Sequence, residues 1–204
     1  MATTENRNTE QVIIEAAKQV FIEKGYADAS MSDIAARAGI NRPALHYYFR
    51  TKEKMLQAVY TDVVNYLTPK ALNHLQDESV PFFDRVSNAI DVYLGFLIDN
   101  PHLPMFGIRE VYRDAEHLFE ACDVASNNIF RKIKQILLAE MKKGTLKDVP
   151  LEYVLYTFYG LLFTPFLIRP IIKLGFDKPE AITREELAPW KAEVISQLKF
   201  LLQP

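Results

Sequence analysis

The chain has 204 residues, of which 49% are hydrophobic and 25% are charged, and its formal net charge is −2. This is the composition of a soluble protein with enough apolar residues for a buried core, in one or two domains. The single cysteine, Cys122, excludes an intrachain disulfide framework and fits a reducing cytoplasm, and the polar N-terminus lacks the apolar segment of a signal peptide. We therefore expect a cytoplasmic protein.

The first predicted helix follows the polar residues 1–8, with Asn8 or Thr9 as its cap. Its apolar residues recur with the spacing of one buried helix face, and Gly25 is expected to end it. That face consists of Val12, Ile13, Ala16, Ala17, Val20 and Phe21.

Two short helices joined by a tight turn are predicted next. Ser30 and Asp33 have the spacing of a capping box at the start of the first of them. Gly39 fits the position after its end, where a positive φ strains any residue that has a Cβ atom. Asn41 is placed to cap the second helix, and Pro43 is tolerated in the first turn of that helix. Two helices around such a turn are typical of a helix-turn-helix.

The second of these helices has few apolar residues, and only Ala44, Leu45 and Phe49 are expected in the core. Residues 37–54 hold five basic side chains and one acidic one, a charge of +4. Cations that neutralise phosphates, with tyrosines and rings that reach the backbone and the base methyl groups, suit a DNA groove. The alternative is a surface helix whose tyrosines are half-buried against the first helix. The outward residues are Arg42, Pro43, His46, Tyr47 and Tyr48.

A fourth helix is predicted from Lys52, with Thr51 as its cap. Its apolar residues keep a helical period as far as Leu67, and Pro69 is expected to end or kink it. Because this helix belongs to both halves of the molecule, a shift at one end can move the other.

The segment from Val12 to Leu56 resembles the DNA-binding domain of the TetR family of bacterial transcriptional repressors. The matching stretches are A-A-x-x-V-F-x-E-K-G-Y, S-M-S-D-I-A-x-x-A-G-I, A-L-H-Y-Y-F and K-E-x-M-L. One departure is His46, where the family usually carries a tyrosine. The resemblance implies a DNA-binding domain over residues 1–56 and an effector-binding and dimerisation domain over residues 57–204.

The resemblance also implies which side chains reach double-stranded DNA. Tyr48 and Lys52 are predicted to contact phosphates, with Arg37 as a further phosphate candidate. Arg42, Pro43 and Tyr47 are the candidates for reading bases, and Asn41 and His46 share the same surface.

The second half of the chain is acidic, with 16 basic and 19 acidic side chains in residues 57–204, a net charge of −3. This asymmetry fits a different task for each half. No alternating strand pattern occurs, so the predicted fold class is all-α with about nine helices: the three-helix DNA-binding domain and a larger helical domain. The remaining helices are predicted over 82–100, 105–113, 115–143, 151–174 and 184–202.

The predicted helix over 151–174 is apolar on most of its sides. Its apolar stretch covers about 16 residues and contains Pro165, whereas a membrane span needs about 20 residues, so we expect burial inside the protein and no membrane span. The residues alone fit either a thick monomer core or a second copy. The resemblance implies a homodimer through the last two long helices, which lets two recognition helices read a palindromic operator.

The resemblance further implies a small-molecule effector that binds between the middle helices and favours a state that releases DNA. Most of the aromatic candidates for the pocket are equally typical of core. Arg109 and Arg169 fit either a bound anion or an internal ion pair, and His102 fits a ligand contact or a loop. The candidate lining residues are Tyr93, Phe96, Met105, Phe106, Arg109, Tyr112, Tyr156, Tyr159 and Phe163.

Two other functions compete with DNA-binding regulation. The four histidines are scattered, and the sequence has no zinc-binding cysteine pair, no nucleophile elbow and no phosphate-binding glycine loop, so no catalytic residue, metal or cofactor is predicted. A helical bundle that binds a small molecule or a partner without DNA remains the alternative, with an enzyme after it.

Overall fold

The computed structural model describes residues 2–125 and 129–204, and in these residues ten helices and no strand are found. The all-α prediction is therefore confirmed, with ten helices in place of about nine. The helices are α1 (Ala2–Asp28), α2 (Met31–Arg37), α3 (Arg42–Tyr48), α4 (Lys52–Gln76), α5 (Phe82–Asp99), α6 (Leu103–Ala125), α7 (Ile129–Lys142), α8 (Leu151–Leu167), α9 (Arg169–Phe176) and α10 (Arg184–Leu202).

Two compact units divide these helices. The first contains the described residues up to Asn65 and those of α6 from Phe106, and the second contains Tyr66–Met105 and everything from α7 onward. Two helices, α4 and α6, therefore have residues in both units. The division falls inside α4, between Asn65 and Tyr66.

The core of the first unit is built from the apolar face of α1. Phe21 and Ile13 are fully buried, whereas Val12, which was predicted to be on the same face, is 49% exposed. Leu45 of α3 is also fully buried, and a fully buried leucine contributes about 1.5–3 kcal/mol. Because α3 has this one anchor and the adjoining Phe49, the rest of its surface is left for other contacts.

Helix α6 completes that core with a single aromatic side chain. Phe106 is 4% exposed, and its ring stacks on Phe21 and Tyr60 at centroid distances of 6.3 and 5.7 Å. Further along α6, the Arg113 guanidinium lies 4.1 Å from the ring centroid of Tyr26. The first unit is thus a bundle of α1 to α3, the start of α4 and most of α6.

The second unit has its own apolar core, formed by α5, α7, α8 and α10. A buried ion pair lies at its edge, where Arg85 of α5 donates to Glu140 of α7 at 2.9 Å and to the backbone carbonyl of Leu75 at 3.2 Å. These bonds tie the end of α4 to α5 and α7.

Several predicted boundaries differ from the structure, including that at Pro69, past which α4 continues to Gln76. Helix α1 begins at Ala2, earlier than the expected cap at Asn8 or Thr9. The predicted helix over 151–174 is two helices with a bend of 55° at Ile168, because Pro170 has no N–H and would clash with the preceding turn, and is instead accommodated in the first turn of α9. The predicted break between 113 and 115 appears as a non-helical Asp114 inside α6.

None of the described helices alone has the length and apolar character needed to cross a membrane. The bent pair α8 and α9 passes that test only when the two helices are taken together.

Candidate DNA interface and effector cavity

Helix α2 begins with the predicted capping box. The Ser30 hydroxyl accepts from the backbone N–H of Asp33 at 3.1 Å, and the Asp33 carboxylate accepts from the backbone N–H of Ser30 at 3.0 Å. Lys24 lies 2.7 Å from the same carboxylate. These bonds, with Lys24 as the largest influence, lower the pKa of Asp33 from 3.8 to about 2.

Asp33 is expected to stay ionised in acid that protonates ordinary aspartates. Since its folded pKa lies below 3.8, its contribution to stability is present above that pH and is lost as the pH falls toward 2. An NMR titration of the Asp33 carboxyl carbon checks this. The Lys24→Ala variant should move the midpoint upward, and a midpoint of 3.8 in the unmodified protein would reject the capping-box geometry.

The turn between α2 and α3 depends on Gly39. Its φ is +69°, in the left-handed region that favours glycine. The backbone N–H of Gly39 donates to Ala36 at 3.2 Å and that of Ile40 donates to Ala35 at 3.0 Å, which is the Schellman arrangement that ends a helix. The turn therefore sets the direction in which α3 leaves α2.

Helix α3 is capped by Asn41, whose side-chain oxygen accepts from the backbone N–H of Ala44 at 2.8 Å. Pro43 lies in the first turn, where its missing N–H breaks no bond. Leu45 and Phe49 are buried as predicted, and Ala44 is half-buried. The local rules therefore fix which face of α3 is outward.

The outward face of α3 carries the predicted base-reading residues. Arg42 and Pro43 are exposed and Tyr47 is 77% exposed. Arg42 donates through Nε to Nε2 of His46 at 3.4 Å, so this nitrogen of His46 acts as an acceptor. Tyr48 is half-buried, and its ring meets the Tyr47 ring edge to face at 5.3 Å.

The cations around α3 differ in their partners. Arg37 forms a two-pronged pair with Glu23 at 2.9 and 2.5 Å, and both side chains are more than 40% exposed. Among the described residues, no carboxylate lies within ion-pair distance of Arg42, Arg50 or Lys54. Arg50 and Lys54 are not among the contacts predicted from the sequence, although their exposure makes them as available as Arg42.

Lys52 has a different environment from the other cations. Its ammonium donates to the carbonyl oxygens of Tyr26, Ala27 and Ala29 at 2.7, 3.2 and 2.9 Å and lies 4.5 Å from the Tyr26 ring centroid. These bonds use all three of its N–H groups. Lys52 thus joins the start of α4 to the segment that leads into α2.

We expect Lys52→Ala to lower the free energy of unfolding by about 2 kcal/mol, because it removes a charged donor from three backbone carbonyls. Urea unfolding followed by circular dichroism measures this. Lys54→Ala is the matched control, since it removes the same charge from an exposed side chain and should change stability by less than about 0.5 kcal/mol. Equal effects of the two variants would show that the three bonds contribute nothing.

The second unit contains an apolar cavity of about 70 Å³. Helices α4, α5, α7, α8 and α10 line it, and none of the lining residues that the structure describes is charged. Within that described lining, Tyr93 and Tyr159 are the only polar side chains. Burial, together with the neighbouring Tyr159, holds the pKa of Tyr93 well above its ordinary value of 10. Other lining residues include Phe83, Val86, Ile133, Phe158 and Leu198.

Only two of the nine predicted pocket residues, Tyr93 and Tyr159, line this cavity. Phe106 is in the core of the first unit, Tyr112 is 89% exposed and Tyr156 is 70% exposed. The others also lie elsewhere: Phe96 packs on Tyr66, Phe163 packs on Tyr159, and Met105 and Arg109 are exposed.

The structure bears on the alternatives given above for Arg109, Arg169 and His102. Arg169 pairs with both carboxylate oxygens of Glu186 at 2.7 and 2.9 Å, so the internal ion pair is the one found. Arg109 is exposed and does not line the cavity. His102 lies in the turn between α5 and α6, as the loop alternative predicts.

The sequence matches that of known regulators. The family model described as "Bacterial regulatory proteins, tetR family" matches residues 13–59. The chain is 32% identical over 179 residues to the uncharacterized HTH-type transcriptional regulator YdgC of Bacillus subtilis, covering 85% of this chain and 86% of that protein. It is 27% identical over 162 residues to the HTH-type transcriptional regulator SrpR of Pseudomonas putida, with coverage of 78% and 73%.

Solved structures share the fold over nearly the whole chain. A FadR transcriptional regulator from Bacillus subtilis, solved with stearoyl-CoA, has a TM-score of 0.71 at 17% identity, covering 92% of this chain and 96% of that one. A TetR family regulator from Marinobacter aquaeolei has a TM-score of 0.70 at 16% identity, with coverage of 95% and 97%. At these identities the likeness concerns the fold alone.

Proposed function

This chain belongs to the TetR family of bacterial regulatory proteins and is a DNA-binding transcriptional regulator, and we propose that it is a repressor that binds an inverted-repeat operator as a homodimer and is released by a small-molecule effector. Its relatives are named as regulators and not as enzymes. The observation that carries the proposal is the outward face of α3. We assign DNA binding to residues 1–56, effector binding and dimerisation to residues 57–204, and a cytoplasmic location.

Helix α3 is the element that enters the major groove in this proposal. Arg42, Pro43 and Tyr47 read bases, because they are exposed on one helix whose buried side is fixed by Leu45. Tyr48 and His46 contact the DNA backbone from the same helix. Asn41 supports the contact through its cap of α3.

Phosphate neutralisation is assigned to the cations around α3. Arg37 exchanges its pair with Glu23 for a phosphate, because a solvent-exposed pair is worth at most about 1 kcal/mol. Arg50 and Lys54 add charge beside it. Lys52 stays a predicted phosphate contact, although it must exchange one of its carbonyl bonds to make it.

Exposed apolar side chains support the dimer. Tyr153 and Tyr156 of α8 are 51% and 70% exposed, and Phe200 of α10 is 87% exposed. Helices α8 and α10 pack on each other, so these exposed side chains are on neighbouring helices of the second unit. A second copy covers these side chains, and a dyad brings two recognition helices about 34–36 Å apart, as successive major grooves require.

The apolar cavity is the proposed effector site. Its walls include Ala71, Leu72 and Leu75, which lie on α4, the helix that begins with Lys52 in the first unit. A ligand that favours one arrangement of this helix over another shifts the DNA-binding equilibrium, whereas equal affinity for both shifts nothing.

Arg42→Ala is expected to relax the base preference at one position of each half-site, with a loss of about 1–3 kcal/mol of discrimination there, because a bidentate contact to a base edge is removed. Sequence selection with the variant and the unmodified protein measures it. Lys54→Ala serves as the control, since the loss of a phosphate contact should weaken binding to all sequences alike and lower the salt slope by about one. An unchanged preference for Arg42→Ala would reject its role as a base reader.

A further inference from the structure

The lining residues and the volume of the cavity in the second unit indicate what kind of ligand it can hold. We propose that it binds a neutral, compact, single-ring molecule that carries one hydroxyl group. This inference rests on the proposed effector function and names the chemical class of the effector.

The absence of charge among the described lining residues excludes an ionic ligand. A buried ion without a partner loses its hydration, and nothing in such a wall replaces it. Arg85 does not line the cavity and its charge is paired with Glu140, so it does not supply a counterion. A carboxylate or an ammonium group on the ligand is therefore disfavoured inside the cavity.

The two tyrosines provide the polar feature of the described lining. Both tyrosines line the cavity, and a tyrosine hydroxyl can both donate and accept a hydrogen bond. A ligand hydroxyl that meets this pair gains a bond that a hydrocarbon of the same shape lacks. The site should thus prefer a ligand with one hydrogen-bonding group.

Aromatic rings form one wall of the cavity. The ring of Phe158 meets Tyr93 and Tyr159 edge to face at centroid distances of 5.6 and 5.2 Å. Such edges and faces pair favourably with another ring in tilted or offset geometry. A planar ring is therefore a better match to this wall than a flexible chain.

The volume limits the size of the ligand. A water molecule needs about 10–15 Å³ of such space, so a cavity of 70 Å³ has room for about five to seven water-sized groups. This is the size of one six-membered ring with a single substituent. A larger ligand requires the helices to move apart.

The test compares three ring compounds of similar size with the full-length protein at neutral pH: phenol, toluene and benzoate. Isothermal titration should give one phenol per chain, with toluene weaker by about two- to tenfold, the effect of one net hydrogen bond. Benzoate should not bind in the cavity. Benzoate binding as tightly as phenol, or no binding of phenol, would overturn the proposal.

Two tyrosine variants test whether phenol binds in the cavity. Tyr93→Phe and Tyr159→Phe keep the rings and should bring phenol down to the affinity of toluene. Tyr112→Phe is the matched control, because this tyrosine is 89% exposed and does not line the cavity. An equal loss in the control, or a preference for phenol that survives in both cavity variants, would place the binding elsewhere and contradict the inference.

A DNA titration separates the ligand class from the effector function. Phenol that binds the cavity and weakens DNA binding supports both. Phenol that binds without any change in DNA affinity supports the ligand class and rejects the effector function of the cavity. A third outcome is that phenol does not bind and a charged metabolite releases the DNA. That result would reject the ligand class and leave ligand-responsive regulation standing.

Discussion

Phe106→Ala should lower the free energy of unfolding by about 3–5 kcal/mol, the usual cost of truncating a fully buried phenylalanine. Phe106 is 4% exposed and stacks on Phe21 and Tyr60 in the core of the first unit. Its removal leaves a cavity where α6 meets α1 and α4. Urea unfolding followed by circular dichroism measures the loss, and operator binding should fall with it because the same core supports α3.

The control for Phe106 is on the same helix. Tyr112 is 89% exposed, so Tyr112→Ala should change stability by less than about 0.5 kcal/mol. The sequence predicted both residues as pocket lining. A Phe106→Ala variant of normal stability that has lost effector binding would support that prediction and reject the core assignment.

The buried ion pair of Arg85 and Glu140 should give the other large effect. Both side chains are about 5% exposed, and Arg85 holds the pKa of Glu140 below its usual value although burial acts to raise it. Glu140→Leu leaves a buried guanidinium without its carboxylate, and we expect a loss of about 3–5 kcal/mol in the free energy of unfolding. Chemical denaturation of the purified variant measures this loss.

Replacing both partners distinguishes a buried charge from lost packing. The double variant Arg85→Met with Glu140→Leu should recover most of the stability, because apolar groups of similar size need no counterion. The exposed pair of Lys143 and Glu78 is the comparison, and Glu78→Ala should cost less than about 1 kcal/mol. A double variant as unstable as the single one would show that the loss comes from packing.

Features set by neighbouring residues could be predicted from the sequence. The capping box of Ser30, the positive φ of Gly39 and the cap at Asn41 each depend on bonds within a few residues. The same holds for the burial of Leu45, which follows from helical spacing. Local sequence rules were therefore sufficient to predict the exposure of Arg42, Pro43 and Tyr47, whereas His46 and Tyr48, which were also predicted to face outward, are half-buried.

Features set by distant partners could not be predicted in this way. Helical spacing says that Phe106 and Tyr93 are apolar positions, but not that one faces Phe21 and the other a cavity. Likewise, the charge of Lys52 predicts a phosphate contact, which stays a prediction, but no local pattern indicates its bonds to the carbonyl groups of Tyr26 and Ala29. The residues of the cavity come from five helices whose mutual packing is not written in any local pattern.

Selection of bound sequences from random double-stranded DNA by the purified protein tests most directly whether α3 reads the major groove as part of a symmetric pair. We predict enrichment of an inverted repeat whose half-sites are spaced by about one helical turn or a multiple of it, with the preference reduced by Arg42→Ala. Well-folded protein that retains no DNA at low salt, or that enriches no repeat, would contradict the account.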